Sequence, residues 1–203
     1  MSVQLSDLNL DGFVKFSSDT LGGKFVAVGN AIATNGGTIF SSSTGLNWTQ
    51  RTAPQTGSGP FTVEFWYLQP TASTTPQMFV TQYTAAGSGR TIIYIGDTSN
   101  SGKVILHIAA TVSIVSSTTP TANTWHHVAV TRDANDLFTL WIDGISNGTT
   151  TNSVVIDNVS TIIGDRTVTS NPFNGYMDDV RITAGVARYT TTFTPPTSSL
   201  PTQ

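Results

Sequence analysis

Phe61-Thr62-Val63-Glu64-Phe65-Trp66-Tyr67 decides how this chain folds. The run is rich in β-branched and aromatic residues, which suit a pleated strand. Large side chains fall on both of its faces, so the strand is expected to lie deep, with cover on each side. Working outward, similar short runs recur between clusters of Gly, Asn, Asp and Ser. They predict strands over 13–16, 24–28, 38–41, 61–67, 77–83, 91–95, 103–109, 125–132, 137–142, 161–163 and 174–183. Leu137-Phe138-Thr139-Leu140-Trp141-Ile142 runs straight into Asp143-Gly144, a pair that favours a tight turn because glycine tolerates positive φ, so a β-hairpin is expected there. This spacing, held almost end to end, is that of an all-β sandwich or barrel.

Composition narrows the function classes. The 203 residues include no cysteine, 9 basic and 12 acidic side chains, and only 10% charged residues. Ser and Thr abound, whereas Glu64 is the only glutamate and helix formers are scarce. A net charge of -3, carried by scattered residues, offers no basic stripe for phosphates and no patch for anionic lipid, so neither nucleic acid nor membrane is expected as a partner. The lack of cysteine excludes cysteine-type zinc fingers, thiol catalysis and disulfide scaffolds. The opening MSVQLSDLNLDGF has no basic region followed by an apolar run, and no apolar run reaches the ~18 residues of a membrane span. The expectation is a protein that is made in a cytoplasm and stays there, or leaves by a route other than a cleaved signal, and that, given Met1, is a complete short gene product. Residues 51–59 read as a loop that divides an N-terminal β-rich segment, 1–59, from a main domain, 60–203. In the tail, Phe193-Thr194-Pro195-Pro196 cannot donate ladder bonds at its prolines, and it reads as an extended strap or a free end.

Three segments in order carry a family resemblance: Phe61-Thr62-Val63-Glu64-Phe65-Trp66, Trp125-His126-His127-Val128-Ala129-Val130-Thr131-Arg132, and Leu140-Trp141-Ile142-Asp143-Gly144. Ile163-Gly164, Phe173-Asn174-Gly175-Tyr176-Met177-Asp178-Asp179-Val180-Arg181-Ile182 and Gly185-Val186-Ala187-Arg188-Tyr189 follow before Phe193-Thr194-Pro195-Pro196. Together they resemble the laminin G-like branch of the concanavalin A-like jelly rolls, and the ending is similar to domains of bacteriophage structural proteins. The resemblance implies two packed antiparallel sheets of about six or seven strands each, with a carbohydrate- or protein-binding surface in some relatives. Further upstream, Lys24-Phe25-Val26-Ala27-Val28-Gly29, Gly37-Thr38-Ile39-Phe40-Ser41 and Ser43-Thr44-Gly45-Leu46-Asn47-Trp48-Thr49 resemble one Asp-box repeat of sialidase-type propellers, with Thr44 where Asp is usual. One blade cannot close a propeller. These extra N-terminal strands are therefore expected to extend the jelly roll or mediate assembly.

Glycosidases on related jelly rolls need paired carboxylates, one to protonate the leaving oxygen and one to attack or activate water. Glu64 has no second carboxylate at alternate positions of its strand, and Asp178 and Asp179 are neighbours that point to opposite faces, so no enzyme is expected. His126 and His127 also face opposite ways and lack a partner at ligand spacing; His127 is read as a core histidine bonded to backbone, and His107 as structural. Some relatives hold Ca²⁺ through loop oxygens, and Asp97, Asn100, Asp165 and Asn171 sit in loops of that kind. Such residues usually cap turns, however, and they form no dense cluster, so no cofactor is expected, with Ca²⁺ kept as the one alternative. Sugar recognition needs exposed rings beside hydrogen-bonding groups. Trp66, Trp125 and Trp141 lie in apolar strands and are read as core, as is Phe173. Trp48 and Tyr83 remain as candidate stacking rings, with Asp97, Asn100, Asp165 and Asn171 as candidate polar partners.

Two functions follow from these readings. The first is a non-enzymatic virion protein of a bacteriophage, a capsid decoration or tail-fibre component assembled in the host cytoplasm, with capsid or tail proteins, or further copies of itself, as partners. The second is a carbohydrate-binding module that recognises a bacterial or algal surface glycan. They separate on mechanism, because one needs a protein interface and the other a partly aromatic sugar site.

Overall fold

The structure is a computed structural model that describes residues 25–29, 38–42, 49–52, 56–82, 89–109, 111–156, 161–165 and 171–198, with the first three segments and residues 111–112 described by backbone alone. Thirteen strands form among the described residues and no helix does. Strands β1 (Phe25–Gly29), β2 (Thr38–Ser42) and β3 (Thr49–Thr52) make a three-stranded antiparallel sheet of their own, hydrogen-bonded to neither of the other sheets. They therefore do not lengthen the sandwich ladders. The strand expected over 13–16 lies outside the described residues.

The sandwich is built from β4 (Phe61–Leu68), β5 (Gln77–Gln82), β6 (Thr91–Ile95), β7 (Val104–Ile108), β8 (Thr111–Val115), β9 (Trp125–Arg132), β10 (Leu137–Ile142), β11 (Ile145–Thr151), β12 (Thr161–Ile163) and β13 (Tyr176–Ala184). Two antiparallel five-stranded sheets result, ordered β11-β10-β9-β4-β13 and β12-β5-β6-β7-β8. Each is smaller than the six or seven strands expected. Strands β8 and β11 have no counterpart in the sequence reading, for identifiable reasons. The β7–β8 connection turns at Ala109 with φ 55°, a conformation usually marked by Gly or Asn. The edge strand β11, Ile-Ser-Asn-Gly-Thr-Thr-Thr, has a polar, loop-like composition.

Alternation along β4 sends Phe61, Val63, Phe65 and Tyr67 into the core between the sheets, where they meet Val128, Val130, Phe138, Leu140 and Met177 of their own sheet and Phe79, Ile93, Val104 and Leu106 of the other. Thr62, Glu64, Trp66 and Leu68 then face outward. The expected cover on that face is supplied by the chain's own end. Residues 185–196 cross the outer face as a strap: the Thr62 hydroxyl donates to the Val186 carbonyl and accepts from the Arg188 N–H, both at 2.9 Å, and Phe193 N–H donates to the Gly144 carbonyl at 3.0 Å.

The β10–β11 hairpin turns on Asp143 and Gly144, with φ of 50° and 79°. A Cβ on Gly144 would stand 1.8 Å from the Phe193 carbonyl oxygen, so glycine is needed here both for its backbone conformation and for the passage of the strap. Gly144→Ala is expected to cost about 1–3 kcal/mol and to speed proteolysis after residue 184. An unchanged urea midpoint would refute this.

Candidate functional site

The outer face of the first sheet reads as a grid, because residues paired across antiparallel strands share a face. One row is Trp125-Leu68-Tyr176, the next is His127-Trp66-Asp178, and the third is Ala129-Glu64-Arg181. The third row depends on a β-bulge. Between Asp178 and Arg181 strand β13 carries one extra residue, with Asp179 at φ 50°. This shifts the alternation so that Arg181, not Val180, faces out over Glu64, while Val180 and Ile182 pack toward the core.

Glu64 is fully buried in this arrangement. Its Oε1 accepts from Arg181 Nε at 2.8 Å and Nη2 at 2.6 Å, and its Oε2 accepts from the Tyr189 hydroxyl at 2.7 Å. His127 Nε2 lies 3.4 Å from the same Oε2, and neither ring nitrogen of His127 has a hydrogen-bond partner among the described residues. The expected backbone bond of this histidine is therefore not made: its ring projects onto the outer face, edge-on to Trp66, Tyr189 and Phe193, and not into the core. Burial works against the Glu64 charge, but His127, Tyr189 and the Arg181 guanidinium more than offset it and hold the carboxyl below its ordinary value. Burial and the Glu64 carboxylate together push the Tyr189 phenol up to about 12. A carboxylate enclosed in this way has no access to an external glycosidic bond. It fastens the strap.

Rows nearer the end of the sandwich are open. Trp125, read from the sequence as core, is 39% exposed, and Tyr176 is 40% exposed. Leu68 and Trp66 between them are half-buried, and Asp178 beside Tyr176 is exposed. The result is an aromatic shelf walled on one side by the strap. Trp125 sits here because strand β9 runs past the β10–β11 turn. Asp143 in that turn binds His126 Nδ1 at 2.7 Å and accepts from His127 N–H at 2.9 Å, which holds the start of β9 in place. Phe173 is half-buried against Tyr67 and Phe79, and Trp141 is core-like at 3% exposure. The sequence missed the shelf because an aromatic in an apolar strand reads as core. Tyr176, adjoining Asn174-Gly175 and the polar Asp178-Asp179, was the one available signal.

The loops bearing the sequence-predicted polar residues gather at the same end, as Met78 N–H bonding the Asn171 carbonyl and Gly102 N–H bonding the Ser73 carbonyl require. Asp97 and Asn100 meet in one turn: Asp97 Oδ1 accepts from the Ser99 and Asn100 N–H groups at 2.7 Å, and both carboxylate oxygens take the Asn100 amide. Those bonds hold the Asp97 carboxyl below its usual range. Asp165 and Asn171 meet in another turn, through Asn171 N–H to Asp165 Oδ1 at 3.1 Å, while the Thr81 hydroxyl donates to the Asp165 carbonyl. Among the described residues no three His, Cys, Asp or Glu side chains come together as a metal site. Trp48 and Tyr83 lie outside the described residues.

Several known structures share this architecture. A Bacteroides ovatus protein described as a candidate carbohydrate-binding protein superposes with a TM-score of 0.51 at 15% identity over 80% of this chain and 53% of its own. The binding domain of Paraclostridial Mosquitocidal Protein 1 gives 0.52 at 16% identity over 75% and 38%. Domain 4 of the arabinanase AbnA from Geobacillus stearothermophilus, solved with arabinotriose, gives 0.51 at 18% identity over 80% and 77%. The chain thus spans about half the length of the Bacteroides protein. No curated protein matches the sequence significantly. Likeness at this identity shows the fold, and the sequence itself shows the family: residues 40–187 match the model of Laminin_G_3, so the chain belongs to this family of the concanavalin A-like lectin/glucanases superfamily.

Proposed function

We propose that this protein is a non-catalytic glycan-binding module whose sugar site is the shelf formed by Trp125, Leu68 and Tyr176, with Trp66 and Asp178 behind it. The observation that carries the reading is the exposure of Trp125 and Tyr176 in one cross-strand row. Exposed rings offer flat apolar faces to the C–H face of a pyranose, and Asp178 offers a carboxylate to its hydroxyls. The lectin-like family and the arabinotriose complex of a structural relative support it. On a glycan array, the parent is expected to bind a restricted set of sugars. Trp125→Ala and Tyr176→Ala should each weaken that binding about tenfold while keeping the parental circular dichroism. Binding that survives both substitutions would place the site elsewhere.

The virion setting belongs to the same proposal. Its support is the tail Ala187-Arg188-Tyr189 with Phe193-Thr194-Pro195-Pro196, whose sequence resembles that of phage structural proteins and which here closes the sheet face. Immunogold labelling of phage particles should then mark heads or tails, and unlabelled particles would remove this setting without touching the sugar site.

A further inference from the structure

The shelf has a length and a charge, and both constrain its ligand. Trp125 stands on β9 and Tyr176 on β13, with β4 between them, so their Cα atoms are two strand spacings, roughly 10 Å, apart. One pyranose can stack on either ring but cannot cover both. Leu68 and Trp66 form a half-buried floor across the gap, level with the strands that carry the two rings. A ligand that uses the whole row must therefore run across the strands as a chain of linked sugars.

Charge selects among such chains. Recognition of carboxylate or sulfate groups relies on Arg or Lys donors. The five shelf residues include no cation, and their one charged member is Asp178. The nearest guanidinium in the grid, Arg181, is turned onto Glu64, and Lys103 at this end of the sandwich directs its Nζ to the Ser116 carbonyl. Among the described residues, the shelf itself offers an anionic sugar no guanidinium or ammonium donor.

From this geometry, and resting on the glycan-binding reading above, we infer that the ligand is a neutral oligosaccharide of about three units laid across strands β9, β4 and β13, not a terminal monosaccharide and not an acidic glycan. Titration calorimetry of the full chain tests this with the monomer, trimer and pentamer of neutral arabinan, xylan and cellulose series, and with oligogalacturonides and alginate oligomers as acidic counterparts. The expected result is a neutral series in which affinity rises at least about tenfold from monomer to trimer, with little further gain at the pentamer. Trp125→Ala and Tyr176→Ala should each erase that gain and leave monomer-level binding. A monomer bound as tightly as its trimer, or an acidic oligomer preferred over the neutral ones, would overturn the inference and leave the glycan-binding reading standing. Failure of every sugar in the panel would overturn the inference, and failure of the glycan array as well would overturn both.

Discussion

Glu64→Ala should lower stability by about 3–5 kcal/mol and free residues 185–196 from the sheet. Removing the carboxylate leaves the Arg181 guanidinium and the Tyr189 hydroxyl without their acceptor beneath a closed strap, and a buried charge without a counter-charge is more costly than the pair was favourable. Urea denaturation measures the loss, and limited proteolysis followed by mass spectrometry reports whether cleavage moves to the segment after Ala184. The double variant Glu64→Leu/Arg181→Leu should recover much of the stability, because it removes both charges together. A single variant as stable as the parent would mean that the network does not fasten the strap.

The same carboxylate gives the protein an acid-sensitive component of stability. Glu64 has a folded pKa below the ordinary 4.5, so between the two values the unfolded chain binds a proton that the folded chain does not, and stability rises with pH there. The contribution is complete above about pH 4.5 and is lost as the pH falls through the folded value. Asp97, held low by the Asn100 side chain, and Asp133, held low by the Leu137 and Asn135 N–H groups, act in the same direction. They are common to the parent and to Glu64→Gln, so the difference between the two melting profiles isolates Glu64. That difference should shrink as the pH is lowered below 4.5, and parallel profiles would contradict the assignment.

Trp141→Ala should cost about 3–5 kcal/mol and leave little soluble protein. The indole is 3% exposed although it lies on the outer face, because Phe193 of the strap packs edge-on against it with ring centroids 5.7 Å apart. Its Nε1–H donates to the Thr131 hydroxyl at 2.9 Å, so truncation opens a cavity and also strips a buried hydroxyl of its donor. Thermal melting checks this, and a variant that melts at the parental temperature would show that the ring is not packed in solution. Trp125→Ala makes the internal contrast, since a half-open ring should cost far less stability and far more sugar affinity.

Much of the fold was legible from residue order alone. Strands 91–95, 125–132, 137–142 and 161–163 coincide with the observed ones, because alternating β-branched and aromatic residues fix strand existence locally. The Asp143-Gly144 turn was legible for the same reason: its signal is carried by the two residues that adopt positive φ. Signals spread over distance were not. The bulge at Asp179 leaves no mark that distinguishes Asp178-Asp179 from any polar pair, yet it decides that Arg181 faces Glu64. Likewise, the sequence places His127 and Trp66 in apolar strands without telling which side the strap will cover.

By itself the sequence determined an all-β sandwich, its hairpin, its family and the absence of a paired-carboxylate pattern along the strand of its one glutamate, since each follows from side chains a few residues apart. Only the tertiary structure decided that Glu64 fastens a strap arriving from more than a hundred residues away, and that Trp125 and Tyr176 stand together in the open. Period-two alternation assigns a residue to a face, but whether that face is closed or open depends on the path of a distant segment, which no local pattern encodes.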